Sequence, residues 1–366
     1  MNRSETASDA AVAIVARDLD AGVLGAGILS SRIACGAASL FVRTAAGAFV
    51  RTTPGLDLEG SWVLGLLAQG VPPAEALTDY AGPGSDRESW QGGLITAEGE
   101  TASRTGSQVR TWAGDWVGVE FVCFGLGLPG PEVIRATIDA MERTRGLVPL
   151  ADRIIGALSV TSCLSHRQDE GPGSKVRFRS AALRMEPVEP MPFDPGESPP
   201  PEGPGGRCDL RVDDCEAPSA ELERLLDVTI FERELQSPEP RRALAWTPSL
   251  REEVAESLRL WAKWASLGLE TQGTGVPRRA CAQPGVDEVV GRSVQPTWAE
   301  AEGGPEALRR WARLRHLASW EDHGPLPGDE ARTGRGADLY VECADRARLA
   351  VLRRSLRRHC VSGFEQ

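Results

Sequence analysis

Lysine is almost missing from this chain. Lys175 and Lys263 are the only two, so nearly all of the 41 basic residues are arginine. Compositional bias accounts for that, or else arginine forks clamp a carboxylate or phosphate. Positive charge is also outweighed, 41 residues against 52 acidic ones, for a net −11. This balance excludes a general surface for nucleic acid and opposes binding to an anionic membrane. No apolar run reaches the length of a membrane span. The polar start MNRSETASDA leads into a stretch broken by Arg17, Asp18 and Asp20, so no secretory signal is read there.

Motifs are equally sparse. None of the eight cysteines (35, 123, 163, 208, 215, 281, 343, 360) has the two-residue gap of a zinc knuckle or redox pair. His166, His316, His323 and His359 stand in no HExxH arrangement and beside no ligand cluster. His166 follows Cys163 by three residues, which sets both on one helical turn, yet a nucleophile pair also needs tertiary geometry. The glycines around Gly125–Pro131 lack the GxGxxG of a dinucleotide fold and the Lys-Ser/Thr of a triphosphate loop, and are read as a strand-to-helix turn or an anion-holding one. No cofactor and no metal is implied, and the chain is read as cytoplasmic and reduced.

Glycine (40) and proline (26) are abundant in the 366 residues, so turns are many. Residues 1–10 read as a disordered leader. AVAIVA at 11–16 and the stretch from Val23 to Leu29 make a hairpin across Asp18–Gly22, and Ser39 to Val50 makes another around Ala45-Ala46-Gly47. The period then becomes helical over 56–69, with a second helix from Pro72-Pro73. Residues 90–105 return to a hairpin at Glu98-Gly99, and GVEFVCF at 118–124 reads as one strand. Helices follow from Pro131 to near Gly146 and from Leu150 to Ser159, and Arg179 to Met185 closes the sheet.

Residues 186–206 carry too many prolines and glycines to pack. DLRVDD at 209–214 reads as an edge strand and Pro218 starts a helix. After 240, three amphipathic helices carry Leu250, Val254, Leu258, Trp261 and Ala265, then Leu308, Trp311, Leu314 and Leu317, then Leu349, Leu352 and Leu356. Hairpin pairs outnumber strand–helix–strand crossovers, so the fold class is α+β, with helices on antiparallel sheets. The ten tryptophans, Trp112, Trp116, Trp261, Trp264 and Trp311 among them, are read as anchors of an internal or oligomeric interface. Asp213-Asp214 either caps the following helix or binds a cation; adjacent strand residues face opposite ways.

Several segments together look like the DUF1028 family. They are AIVARDLDAGVLG at 13–25, EGSWVLGLLAQGVPPAEAL at 59–77, WQGGLITAEGETASRTG at 90–106, TWAGDWVGVEF at 111–121, LPGPEVIRATIDAM at 128–141, RSAAL at 179–183 and DLRVDDCEAPSAELERLLD at 209–227. The resemblance implies a four-layer αββα domain of the N-terminal-nucleophile hydrolase type over 11–227, containing the 186–206 loop, with a mostly helical region of unknown role over 240–366. Some members carry an extension resembling a peptidoglycan-binding module; none is recognised in 240–366.

That fold type attacks amides with an N-terminal Thr, Ser or Cys whose own amine is the base. Members often begin Thr-x-Ser before IVARD. The matching positions here are Ala11 and Ala13, which have no nucleophilic atom. Ser4, Thr6 and Ser8 lie upstream and need leader cleavage to serve. The family's histidine after WAG is Asp115 here, its RGRQSAAL reads VRFRSAAL with Arg177 and Arg179 as the changed positions, and its histidine after VDD is Cys215. Candidate ligand-site residues are therefore Arg17, Arg51, Asp115, Arg177, Arg179, Asp213 and Asp214.

Three functions follow as expectations. The first is a non-catalytic scaffold or binder of a small anionic or peptide ligand. The second is an amide hydrolase using a processed leader or Cys35, Ser30 or Ser31. The third is a subunit of a larger assembly, or a homo-oligomer, docking through its C-terminal helices.

Overall fold

The computed structural model describes residues 9–52, 57–81, 88–109, 112–167, 176–190, 206–236, 247–258, 308–309, 311–312 and 347–358. They fall into two compact units that divide between Leu222 and Glu223. The leader residues Ser4, Thr6 and Ser8, the 191–205 part of the proline-rich loop, and Trp261, Trp264, Ala265, Leu314 and Leu317 lie outside the described residues.

The first unit is α+β. In chain order its elements are β1 (Ala11–Asp18), β2 (Val23–Ser30), α1 (Cys35–Ser39), β3 (Leu40–Arg43), β4 (Gly47–Arg51), α2 (Asp57–Ala68), α3 (Pro73–Ala81), β5 (Gln91–Thr96), β6 (Thr101–Thr105), β7 (Ala113–Gly118), β8 (Phe121–Leu126), α4 (Pro131–Arg143), α5 (Leu150–Arg167), β9 (Ser180–Pro187) and β10 (Cys208–Val212). Helix α6 (Pro218–Gln236) follows and crosses the division. Every strand pair is antiparallel. A six-stranded sheet runs β10-β9-β2-β1-β8-β7 and a four-stranded sheet runs β3-β4-β5-β6.

One apolar core joins the inner faces of the two sheets. Ala13, Val15, Ala26, Ile28, Val122 and Phe124 from the larger sheet meet Leu40, Val42, Ala48, Val50 and Ile95 from the smaller. Helix α5 lies against β1, β2 and β9, and α4 against β7 and β8. Gly27 allows that approach, since a Cβ there would sit 2.3 Å from Ile154. This double cover is why β1 and β2 read as unbroken apolar runs rather than alternating ones. A second core sets Phe41, Phe49 and Leu94 against Val63, Leu64 and Leu67 of α2 and Ala76 and Leu77 of α3. Helix α4 has Pro131 at its start, Glu132 in the first turn and Arg143 in the last, which suits the helix dipole. Its buried face is Val133, Ile134, Thr137, Ala140 and Met141, a helical repeat.

Three elements differ from the sequence reading. Residues 118–124 are not one strand: Glu120 takes a left-handed conformation (φ 64) and turns β7 back onto β8. The helix from Leu150 runs on to Arg167. Ser180–Pro187 does not close the sheet but sits inside it, between β2 and β10, and the edge falls to β10.

In the second unit, residues 248–258 and 347–358 are helical. Val254, Leu258, Leu308, Trp311, Leu349 and Leu352 are all buried. The Arg358 guanidinium is fully buried, 3.3 Å from Glu223 and 3.0 Å from Asp227. Arg348 lies 6.0 Å over the Phe231 ring. Among the described residues no helix is long and apolar enough to cross a membrane.

Candidate functional site

The position that matches the family's nucleophile opens β1. Ala11 pairs with Ser30 on one side and Leu126 on the other, in the centre of the larger sheet. Its side chain is a buried methyl group, 1 % exposed. The chain ahead of it is built into the fold. Ala10 donates its N–H to Ser31 Oγ at 2.9 Å and accepts from Ser31 N–H at 2.8 Å. Asp9 forms an ion pair with Arg32. Gly127 is left-handed (φ 65), and a Cβ there would stand 2.2 Å from the Asp9 carbonyl oxygen, so glycine lets Asp9 and Ala10 lie over the end of β8. The Ala11 nitrogen is thus a peptide nitrogen within a strand rather than a free amine.

The space beside Ala13 is packed. Phe124 pairs with Ala13 and is fully buried, and a Cβ on Gly93 would meet its ring at 2.5 Å. Leu40, Val50 and Ile28 belong to the same core. The ring therefore fills the gap between the sheets at the level of Ala13.

Around this end runs a hydrogen-bonded collar. Cys35 N–H donates to Ser180 Oγ at 3.2 Å, and Ser180 Oγ donates to the Arg32 carbonyl. Arg179 N–H donates to the Ser30 carbonyl at 2.7 Å, Ala34 N–H to the Asp213 carbonyl at 2.8 Å, and Cys215 N–H to the Arg179 carbonyl at 2.7 Å. Outside it, Arg179 holds Asp214 through two bonds of 2.9 and 2.7 Å, and Arg177 holds Glu216 at 3.0 Å. Four of the seven candidate residues, Arg177, Arg179, Asp213 and Asp214, therefore lie at the same end of the sheet as Ala11, on the far side of β2 from β1.

The other three are not in that collar. Arg17 lies at the far end of β1, donating to the Ala97 carbonyl at 2.9 Å and to Glu120 at 3.1 Å. Arg51 is buried under α1, where Nε and Nη2 donate to the Ala38 carbonyl at 3.2 and 3.0 Å and Nη1 to Tyr80 Oη. It stands between the Phe41 and Tyr80 rings, about equally far from each. Asp115 is exposed on β7 and accepts from Ser103 Oγ.

The alternative nucleophiles are poorly placed. Burial pushes the Cys35 thiol up to about 12, and nearby Asp213 adds to the rise while Ser180 opposes it. A thiol at that value is not a thiolate near neutral pH. Burial raises Cys123 further still. Ser30 is 2 % exposed and its Oγ accepts from Arg32 N–H, while Ser31 Oγ is engaged by Ala10. His166 offers no side chain among the described positions, so its pairing with Cys163 lies outside them. Among the described residues no group of three or more His, Cys, Asp or Glu could hold a metal.

Sequence reading missed Gln91, which is fully buried at the start of β5. Its Nε2 donates to Thr105 Oγ1 at 3.0 Å and to the Gly114 carbonyl at 3.1 Å, tying the two sheets together. The available signal was a lone amide heading the apolar run QGGLIT.

A comparison with curated proteins gave no significant match. Among solved structures, a Silicibacter pomeroyi protein described by the DUF1028 family model aligns at 20% identity and a TM-score of 0.49, over 63% of this chain and 91% of that one. A family model described as a family of unknown function, DUF1028, matches residues 11–222. The chain belongs to the DUF1028 family.

Proposed function

We propose that the first unit is a non-catalytic member built on a four-layer αββα arrangement of the N-terminal-nucleophile hydrolase type, serving as a scaffold or as a binder of a small anionic or peptide ligand. The observation that carries this is Ala11: a methyl group and a peptide nitrogen stand where the chemistry needs a hydroxyl or thiol and a free amine. Phe124 packed beside Ala13 supports it, as does the high pKa of Cys35. A ligand would meet the outer charges, Arg177, Arg179 and Asp214, whose exposed pairs exchange partners at little cost.

The test treats the purified chain with a β-lactone electrophile directed at hydroxyl and thiol nucleophiles and reads adducts by peptide mass. No adduct is expected under native conditions on Ser30, Ser31 or Cys35. Stoichiometric labelling of one of them would restore the hydrolase reading. A ligand role is checked separately by thermal shift with carboxylate-bearing dipeptides, where a rise lost in Arg179→Ala identifies the outer charges as the binding group.

A further inference from the structure

The two sheets have four edge strands, β10, β7, β3 and β6. Native sheets blunt such edges with charge or cover, because an open edge pairs with other strands. Three of the four follow that rule. β10 carries the exposed Asp209–Arg211 pair, β6 carries Thr101, Ser103 and Arg104, and β3 is buried apart from Arg43. β7 does not. Its sequence is AGDWVG, and Trp116 is 52% and Val117 50% exposed, with Val119 of the following turn at 59%. It has no lysine, no proline and one charge. Among the described residues no strand pairs with its outer side.

Opposite residues in an antiparallel ladder share a face. Val117 pairs with Val122, a residue of the inter-sheet core, and Trp116 pairs with Cys123 on the other face. Both faces of β7 therefore expose apolar surface along an open hydrogen-bonding edge.

We propose that β7 is the interface for a second copy of this chain, paired antiparallel about a two-fold axis at Trp116. A second copy fits because a two-fold pairing brings the same open edge from both sides, so each copy satisfies the other. Side-chain parity allows only registers centred on a residue. Centring on Asp115 sets two carboxylates opposite each other, which is destabilising. Centring on Trp116 sets the two indoles opposite, Asp115 against Val117, Gly114 against Gly118 and Ala113 against Val119. All six residues of β7 then find partners and no like charges meet. The local charge also permits self-association in a chain of net −11, because Glu120 beside the strand is already neutralised by Arg17 and Arg145 at 3.1 Å each. Six ladder residues and three apolar side chains per copy cover less than the roughly 800 Å² per partner of a standard interface. The dimer is accordingly concentration-dependent. It does not depend on what the Ala11 end does.

The experiment is sedimentation velocity on the full chain from roughly 1 to 100 µM, with the wild type, Val117→Lys and Trp116→Cys. The wild type is expected to shift from monomer to dimer, and Val117→Lys to weaken the dimer about tenfold or more with an unchanged circular dichroism spectrum. Under mild oxidation Trp116→Cys is expected to give a disulfide-linked dimer, since the axis sets the two positions within bridging distance, whereas Leu19→Cys at another exposed site is not. A wild type that stays monomeric over the whole range overturns the proposal. So does a dimer that survives Val117→Lys and gives no cross-link from Trp116→Cys.

Discussion

The two ends of the central strands of the larger sheet differ in kind. At the Ala11 end, Ser30, Ser31 and Ser180 bond to backbone groups, and charge is confined to exposed pairs outside them. At the Arg17 end, a charged group is part of the packing: Glu120 bridges Arg17 and Arg145, and Arg153 donates to the Met141 carbonyl at the end of α4. Both ends lie on one short run of sequence, AVAIVARD. A strand advances about 3.3 Å per residue, so six residues separate Arg17 from Ala11 by roughly 20 Å. Neighbours in the sequence motif are therefore strangers in space. Arg17 bonds to the Ala97 carbonyl and to Glu120 at its own end of the strand.

The largest effect expected is at the filled gap. Phe124→Ala removes the ring that packs on Gly93 and should cost about 3–5 kcal/mol, measured by urea unfolding. It should also make the protein take up small apolar probes beside Ala13, with no uptake there expected of the wild type. A wild-type-like stability would mean the gap is not filled as described.

Next is pH. The Cys35 thiol is raised from 9.0 to about 12 in the folded chain. A thiol raised on folding contributes stability that is complete below pH 9 and is lost as pH climbs toward 12. Unfolding midpoints should therefore fall across that window, and Cys35→Ala should reduce the fall. Native Cys35 should also resist iodoacetamide at pH 8 until denaturant is added.

Glu120→Ala breaks both arginine bonds at the far end and should cost about 1–2 kcal/mol. Asp214→Ala, at the Ala11 end, removes an exposed pair and should cost less than about 1 kcal/mol. If Asp214→Ala proved the more damaging of the two, the contrast between the ends would fail.

Much of this architecture was legible beforehand. Turn signals at Asp18–Gly22, Ala45–Gly47 and Glu98-Gly99 marked three hairpins, and Pro131 marked the start of α4, because those residues act locally. The β7–β8 turn was hidden, since Val119-Glu120 carries no turn residue and Glu120 is left-handed for a tertiary reason, its two arginine partners. Helix α1 was hidden because five residues are too few to show a period. The site was less legible. Arg179 and Asp214 come together as an ion pair, and Arg177 with Glu216, a pairing across the sheet end that no local spacing in the sequence announces. Arg51 did not join them, because alternation along β4 points it at Phe41 and Tyr80 rather than into the gap between the sheets.

The central claim is that the Ala11 end holds no N-terminal nucleophile, and intact mass of the purified, untagged protein tests it most directly. The account predicts the full chain, or the chain lacking only Met1. A chain shortened so that Ser4, Thr6 or Ser8 comes first would contradict it and make that residue the nucleophile to mutate.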